Sequence, residues 1–202
     1  MACQAGRAGV LLVGEKRELE WLGRALEEEG YAVRPHVPEW TGGWQGALQR
    51  AREAYCRLRA ETQDAFLLGQ SAGAALGLAL AQRHPASGLV CLSAPVWLKP
   101  CAYFGGRGPL ASDSWRKKRG LVRLIRLVRE NLYCVECPVL AVQSAGDPYL
   151  ARSSAERLLA ACHAREKQLL RLCASGHLVT QGPERALLLS AVLAFLRNGA
   201  TA

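Results

Sequence analysis

Gly69-Gln70-Ser71-Ala72-Gly73 carries the residue types of a serine nucleophile. A hydroxyl attacks a carbonyl only when a base removes its proton, and the oxyanion that forms needs N–H donors beside it. The pentapeptide alone is common in ordinary turns, so its flanks decide. Ala65-Phe66-Leu67-Leu68 before it is apolar and of strand length. Ala74 to Ala81 after it is apolar on every side and rich in helix formers. Strand, G-x-S-x-G and helix in that order predict a nucleophile elbow. At the tip of so sharp a turn the serine backbone is strained, and a Cβ at Gly69 or Gly73 would crowd the adjoining strand and helix. The helix N-terminus would bring backbone N–H groups to the serine, where a developing oxyanion could be stabilised.

A base and an orienting carboxylate must come from elsewhere, so the elements that position them matter. Gly9–Val13 reads as a buried strand and Glu15–Glu29 as a helix with Leu19, Leu22 and Leu26 on one face, closed by Gly30. Tyr31–Pro35 is a second strand, and Trp44–Ala60 a helix after a turn-rich stretch. The elbow and its helix run from Ala65 to His84. Gly88–Leu92 is a fourth strand. From Trp97 to Tyr133 the alternation lapses; Pro138–Gln143 restores it, followed by helix Ala151–His163, strand Lys167–Leu172 and helix Glu184–Leu196. The pattern predicts an α/β fold with a doubly wound, mostly parallel six-stranded sheet, one domain over residues 1–202 with an insertion at 97–133.

In such sheets the functional residues gather at the carboxyl ends of the strands. Of three aspartates, Asp64 precedes a strand and Asp113 lies in the insertion; only Asp147 directly follows a strand. His84 and His163 sit near helix ends, where solvated side chains are the ordinary reading. His36 follows the second strand but precedes the serine in sequence, which makes it the weaker competitor. His177 lies between the last strand and the last helix. Ser71, Asp147 and His177 are the resulting candidates.

Composition sets limits. The chain has 202 residues, half of them apolar, enough for one sizeable core. No apolar run reaches the 18 or more residues of a membrane span. Met1–Arg7 runs into a strand-like segment without a signal-like apolar stretch, so the expected location is cytoplasmic. The formal net charge is +9, from 26 basic and 17 acidic residues. Seven of the basic residues (Arg116, Lys117, Lys118, Arg119, Arg123, Arg126 and Arg129) fall in one segment free of acidic residues, and the other 19 nearly balance the 17 acids. A charge excess confined to one segment argues against a nucleic-acid partner. Cys134-Val-Glu-Cys137 has the spacing of half a zinc site or a redox pair, but no second ligand pair accompanies it. Free thiols are expected, with no metal and no cofactor.

The sequence resembles the carboxylesterase and monoacylglycerol-lipase-like branch of the alpha/beta-hydrolase superfamily, in register from about Gly9 to Arg197. GVLLVG, EEEGYAV, LLGQSAG, LSAP, PVLAVQSAGD and ASGHLVT carry the likeness, and the chain order Ser71, Asp147, His177 is that of the superfamily. The resemblance implies a serine carboxylesterase for small or medium-chain acyl esters. Ser71 would be its nucleophile, His177 its base and acid, and Asp147 the group that orients the imidazole. It also implies oxyanion donors at the backbone N–H of Ala72 and of the residue after a His-Gly pair. Here that pair is Val13-Gly14, so the second donor falls to Glu15. The loop that follows is shorter than in relatives, the Gly-His-Gly after the second strand is absent, and only eight residues precede the first strand, so the antiparallel strands that open the sheet in relatives are expected to be largely missing. One lost oxyanion donor costs about a hundred- to a thousandfold in rate. The alternative expectation is therefore a weak or inactive hydrolase-fold binding protein.

By the same analogy residues 97–133 would cap the pocket, with Trp97, Tyr103 and Phe104 as lining candidates. Leu121, Val122, Leu124, Ile125, Leu127 and Val128 interleave with the arginines at helical spacing. Two readings stand: a cap helix with its leucines over the pocket and a solvated outer face, or a basic surface at 116–129 that makes transient contact with anionic membrane or an acidic partner.

Overall fold

The computed structural model describes residues 8–100, 102 and 115–199; of residues 115–118 only the backbone is described. Six strands form one parallel sheet: β1 (Gly9–Val13), β2 (Ala32–His36), β3 (Ala65–Gln70), β4 (Gly88–Leu92), β5 (Val139–Ser144) and β6 (Lys167–Leu172), in the order β2-β1-β3-β4-β5-β6. The inner strands β1, β3, β4 and β5 are buried at every residue, which is why they read as apolar runs, with polar residues only at the carboxyl ends of β3 and β5. The edge strands β2 and β6 are half exposed and carry Arg34, Pro35, Lys167 and Arg171, residues that discourage edge pairing.

Alternate residues of each strand enter two cores. Leu11, Val13, Leu67, Leu89, Cys91, Val139 and Ala141 face α2 (Gly43–Glu61), α3 (Ala72–Ala81), α4 (Trp115–Glu130) and α5 (Ser154–Ala161). Val10, Leu12, Phe66, Leu68, Val90, Leu92, Leu140 and Val142 face α1 (Lys16–Glu28) and α6 (Arg185–Gly199). Helix α3 is buried almost all round, as its uniformly apolar sequence requires. Gly30 ends α1 at φ 95°, a left-handed conformation open to glycine at no steric cost.

The chain winds from β1 to β2 in one direction, then returns past β1 to β3 and continues the other way. The strand order therefore reverses between β1 and β3, and their carboxyl ends open a crevice there.

Of the stretch expected to be a cap, residues 115–130 form helix α4. Leu124, Ile125 and Val128 of α4 are packed in the core against α2 and α3, so α4 is the crossover helix between β4 and β5. Arg119, Arg123, Arg126 and Arg129 lie on its solvent side, with Arg126 paired to Glu130 at 2.8 Å. Among the described residues no helix is long and apolar enough to cross a membrane.

Candidate active site

Ser71 sits between β3 and α3 at φ 52°, ψ −119°, a conformation L-residues rarely adopt. The glycines on either side make the turn sterically feasible. A Cβ at Gly69 would come within 2.5 Å of the Gly73 carbonyl, and one at Gly73 within 2.0 Å of the Val13 carbonyl oxygen. Both obstacles are backbone, so neither can swing aside. Gly73→Ala is expected to cost about 3 kcal/mol of stability by forcing β1 and α3 apart. Urea denaturation measures this, and a loss below about 0.5 kcal/mol would show that the two elements separate freely. The Ser71 N–H donates to the Leu92 carbonyl at 2.9 Å, tying the turn to β4.

Asp147 follows β5 and is 2% exposed. Its Oδ1 accepts from the backbone N–H groups of Tyr149 at 2.8 Å and Leu150 at 3.1 Å, which leaves Oδ2 facing His177 Nδ1 at 2.7 Å. Burial pushes the Asp147 carboxyl up, but the hydrogen bond and charge of His177 with the two N–H groups outweigh it and leave it below the ordinary carboxylate value. An ionised carboxylate can only accept, so Nδ1 carries the proton and Nε2 presents its lone pair. Nε2 stands 2.9 Å from Ser71 Oγ. The Tyr149 ring meets the imidazole edge to face, 5.2 Å between centroids.

The imidazole is held from behind as well. The His177 carbonyl accepts from Ser93 Oγ at 2.7 Å and from the Val179 N–H at 3.1 Å. Ser93, at the end of β4, is fully buried and itself has φ 48°. Lys99 Nζ donates to the Asp147 carbonyl at 2.6 Å.

These side chains open onto a cleft of about 620 Å³ at the strand reversal. Trp40, Leu121, Tyr149 and Leu178 give it apolar walls, and Glu15, Glu18 and Ala72 lie along it beside Ser71. Ala72 is the first residue of α3, so its N–H has no acceptor within the helix. Glu15 precedes α1 in the same way, its carbonyl taking the N–H groups of Glu18 and Leu19. Burial raises the Glu18 carboxyl above its ordinary value despite a hydrogen bond from Gln70 Nε2 at 3.2 Å. Gln70 in turn accepts from the Thr180 hydroxyl at 3.0 Å.

The structure thus brings Ser71, Asp147, His177, Ala72 and Glu15 to one place. Trp97 is not among the residues of this cleft: its ring packs against the core with the Arg157 guanidinium 4.4 Å above it. Its backbone N–H bonds Ser154 Oγ, which turns it toward α5. Tyr103 and Phe104 lie outside the described residues. Trp40, Tyr149 and Ser93 were not singled out by sequence. Tyr149, two residues past the aspartate, is the one whose position could have signalled it.

A second cavity, of about 680 Å³, lies away from Ser71 and is lined by His84, Cys134, Cys137 and His163 among others. Among the described residues no group of three His, Cys, Asp or Glu side chains is placed to hold a metal ion. Burial pushes the Cys137 thiol up to about 11 and Cys162 to about 12, so both remain protonated and inert at neutral pH.

The sheet order and flanking helices make this an α/β fold shared with hydrolases of known structure. No family model matches the sequence. The chain is similar to a carboxylesterase of Bacillus subtilis (strain 168), 26% identical over 234 residues that cover 96% of this chain and 94% of the relative. It shares its fold with a structure from the metagenome-derived lipolytic enzymes LipS and LipT, at a TM-score of 0.83 and 21% identity over 96% of this chain and 95% of that one. The monoacylglycerol lipase of Paleococcus ferrophilus superposes at a TM-score of 0.74 and 15% identity, covering 96% and 97%.

Proposed function

We propose that the protein is a serine carboxylesterase that cleaves small or medium-chain acyl esters through an acyl-enzyme. The observation that carries this reading is the unbroken row from Ser71 Oγ to His177 Nε2, 2.9 Å, and from His177 Nδ1 to Asp147 Oδ2, 2.7 Å. His177 takes the hydroxyl proton as Ser71 Oγ bonds to the ester carbonyl carbon. Asp147 holds the tautomer and stabilises the imidazolium. The carbonyl π electrons move to oxygen, which the N–H groups of Ala72 and Glu15 receive. When the tetrahedral intermediate collapses, the alkoxide leaves with the proton from His177. Water, deprotonated by the same imidazole, then attacks the acyl-serine and releases the acid. No step calls for a metal or a cofactor. The walls at Trp40, Leu121 and Leu178 suit an apolar acyl chain.

A fluorophosphonate probe tests the reading. One adduct per chain is expected by intact mass, mapping to Ser71 and absent from Ser71→Ala. A chain that takes up no probe would be the binding protein of the alternative reading. The observation favouring that alternative is Glu15, an acidic residue that lines the cleft together with Ser71. A negative charge there opposes the one that develops unless the side chain turns to solvent, where Glu15 is exposed.

A further inference from the structure

The geometry points to Glu184 as the residue that positions His177, through the loop that carries it. This inference rests on the esterase reading of Ser71, His177 and Asp147.

The loop from Cys173 to Gly176 leaves β6 without regular structure, yet its end must hold an imidazole within bonding distance of two partners. Glu184, just before α6, closes that loop from the far side. The backbone N–H groups of Cys173, Ala174 and Ser175 donate to its carboxylate at 2.9, 2.9 and 2.8 Å. The Ser175 hydroxyl adds a fourth donor at 2.8 Å. Three consecutive N–H groups converging on one carboxylate are charge-assisted bonds that leave the backbone little freedom. The donors, the Cys173 N–H foremost, hold the Glu184 carboxyl below its ordinary value, so it is ionised at neutral pH. The Leu188 N–H donates to the Glu184 carbonyl at 3.0 Å, which anchors the clasp in the first turn of α6.

Ser175 passes this order onward. It is buried, its carbonyl accepts from Ser144 Oγ at the end of β5, and Gly182 packs so close that a Cβ there would lie 2.3 Å from Ser175 Oγ. The loop is therefore tied at once to the strand that leads to Asp147 and to the helix after His177. Glu184 touches no reacting atom; its effect is on where the imidazole stands.

Glu184→Gln turns an NH₂ toward N–H donors and removes the charge. An imidazole displaced by about 1 Å costs on the order of a hundredfold in rate. With p-nitrophenyl butyrate, kcat per phosphonate-titrated site is expected to fall roughly 10- to 100-fold, with KM within about twofold of wild type. Glu184→Asp, which keeps the charge on a shorter arm, should recover part of the loss. The downfield imidazole Nδ1–H resonance, sharp when His177 is held against Asp147, should broaden in Glu184→Gln whether or not ester is turned over. If Glu184→Gln does not fold, Ser175→Ala removes only the hydroxyl arm and should give a smaller loss of the same kind, in kcat alone. The inference is overturned if kcat per site stays within twofold and the resonance is unchanged, even with a lowered denaturation midpoint, since that is a purely structural role. A wild-type chain that neither labels nor turns over would refute the esterase reading instead, while the imidazole resonance would still decide Glu184.

Discussion

Ser71→Ala is expected to lower kcat for p-nitrophenyl butyrate by about 10⁶-fold, to the background rate. The size follows from what the hydroxyl alone supplies. His177 Nε2 bonds Ser71 Oγ at 2.9 Å, and an imidazole without that partner has only water to activate. The residual catalysis comes from binding and oxyanion donors, which the variant keeps. Stability should change by no more than about 1 kcal/mol, the worth of one hydrogen bond. Alanine at φ 52° is as strained as serine, so the elbow neither relaxes nor tightens. Substrate affinity is expected to be retained, so the variant should still bind a non-hydrolysable ester analogue. Steady-state kinetics on the purified variant decide it: turnover at the wild-type rate would end the serine-hydrolase account.

Much of the architecture was legible because the inner strands are buried on both faces and are apolar except at their carboxyl ends, where Gln70, Gln143 and Ser144 lie. Gly69 and Gly73 were legible as turn requirements, since only a missing Cβ allows β1, β3 and α3 to meet there. That Asp147 and His177 would come together with Ser71 could be anticipated from their places at strand carboxyl ends, without any contact being known. Which surface α4 covers was not legible, because an amphipathic stripe does not name its partner: Leu124, Ile125 and Val128 pack with α2 and α3 while Leu121 lines the cleft. Trp97 illustrates the same limit, since a tryptophan near a pocket and one under an arginine have the same sequence signature. Glu184 had no signature at all: a carboxylate that gathers three N–H groups is visible only once the loop closes on it. The Thr180–Gln70–Glu18 chain is hidden for the same reason, its members joined across 110 and 52 residues.

Asp147→Asn is expected to lower kcat by about 10⁴-fold while the fold persists. The loss has two sources in this site. Oδ1 is already committed to the N–H groups of Tyr149 and Leu150, so the amide oxygen must take that place and the NH₂ must face His177. An NH₂ donates, which forces Nδ1 to accept and moves the imidazole proton to Nε2, the position that should receive the Ser71 proton. The imidazolium formed during attack also loses its counter-charge. Linkage gives an independent check in the wild-type protein. Because the folded Asp147 carboxyl lies below its unfolded value, its contribution to stability is complete above the unfolded value and is lost as pH falls through the folded one. The Asn variant should therefore lose less stability than wild type on acidification through the range below about pH 4. Parallel urea titrations at neutral and acidic pH measure that difference, and equal acid sensitivity in the two proteins would mean that the carboxylate is not held as the geometry requires.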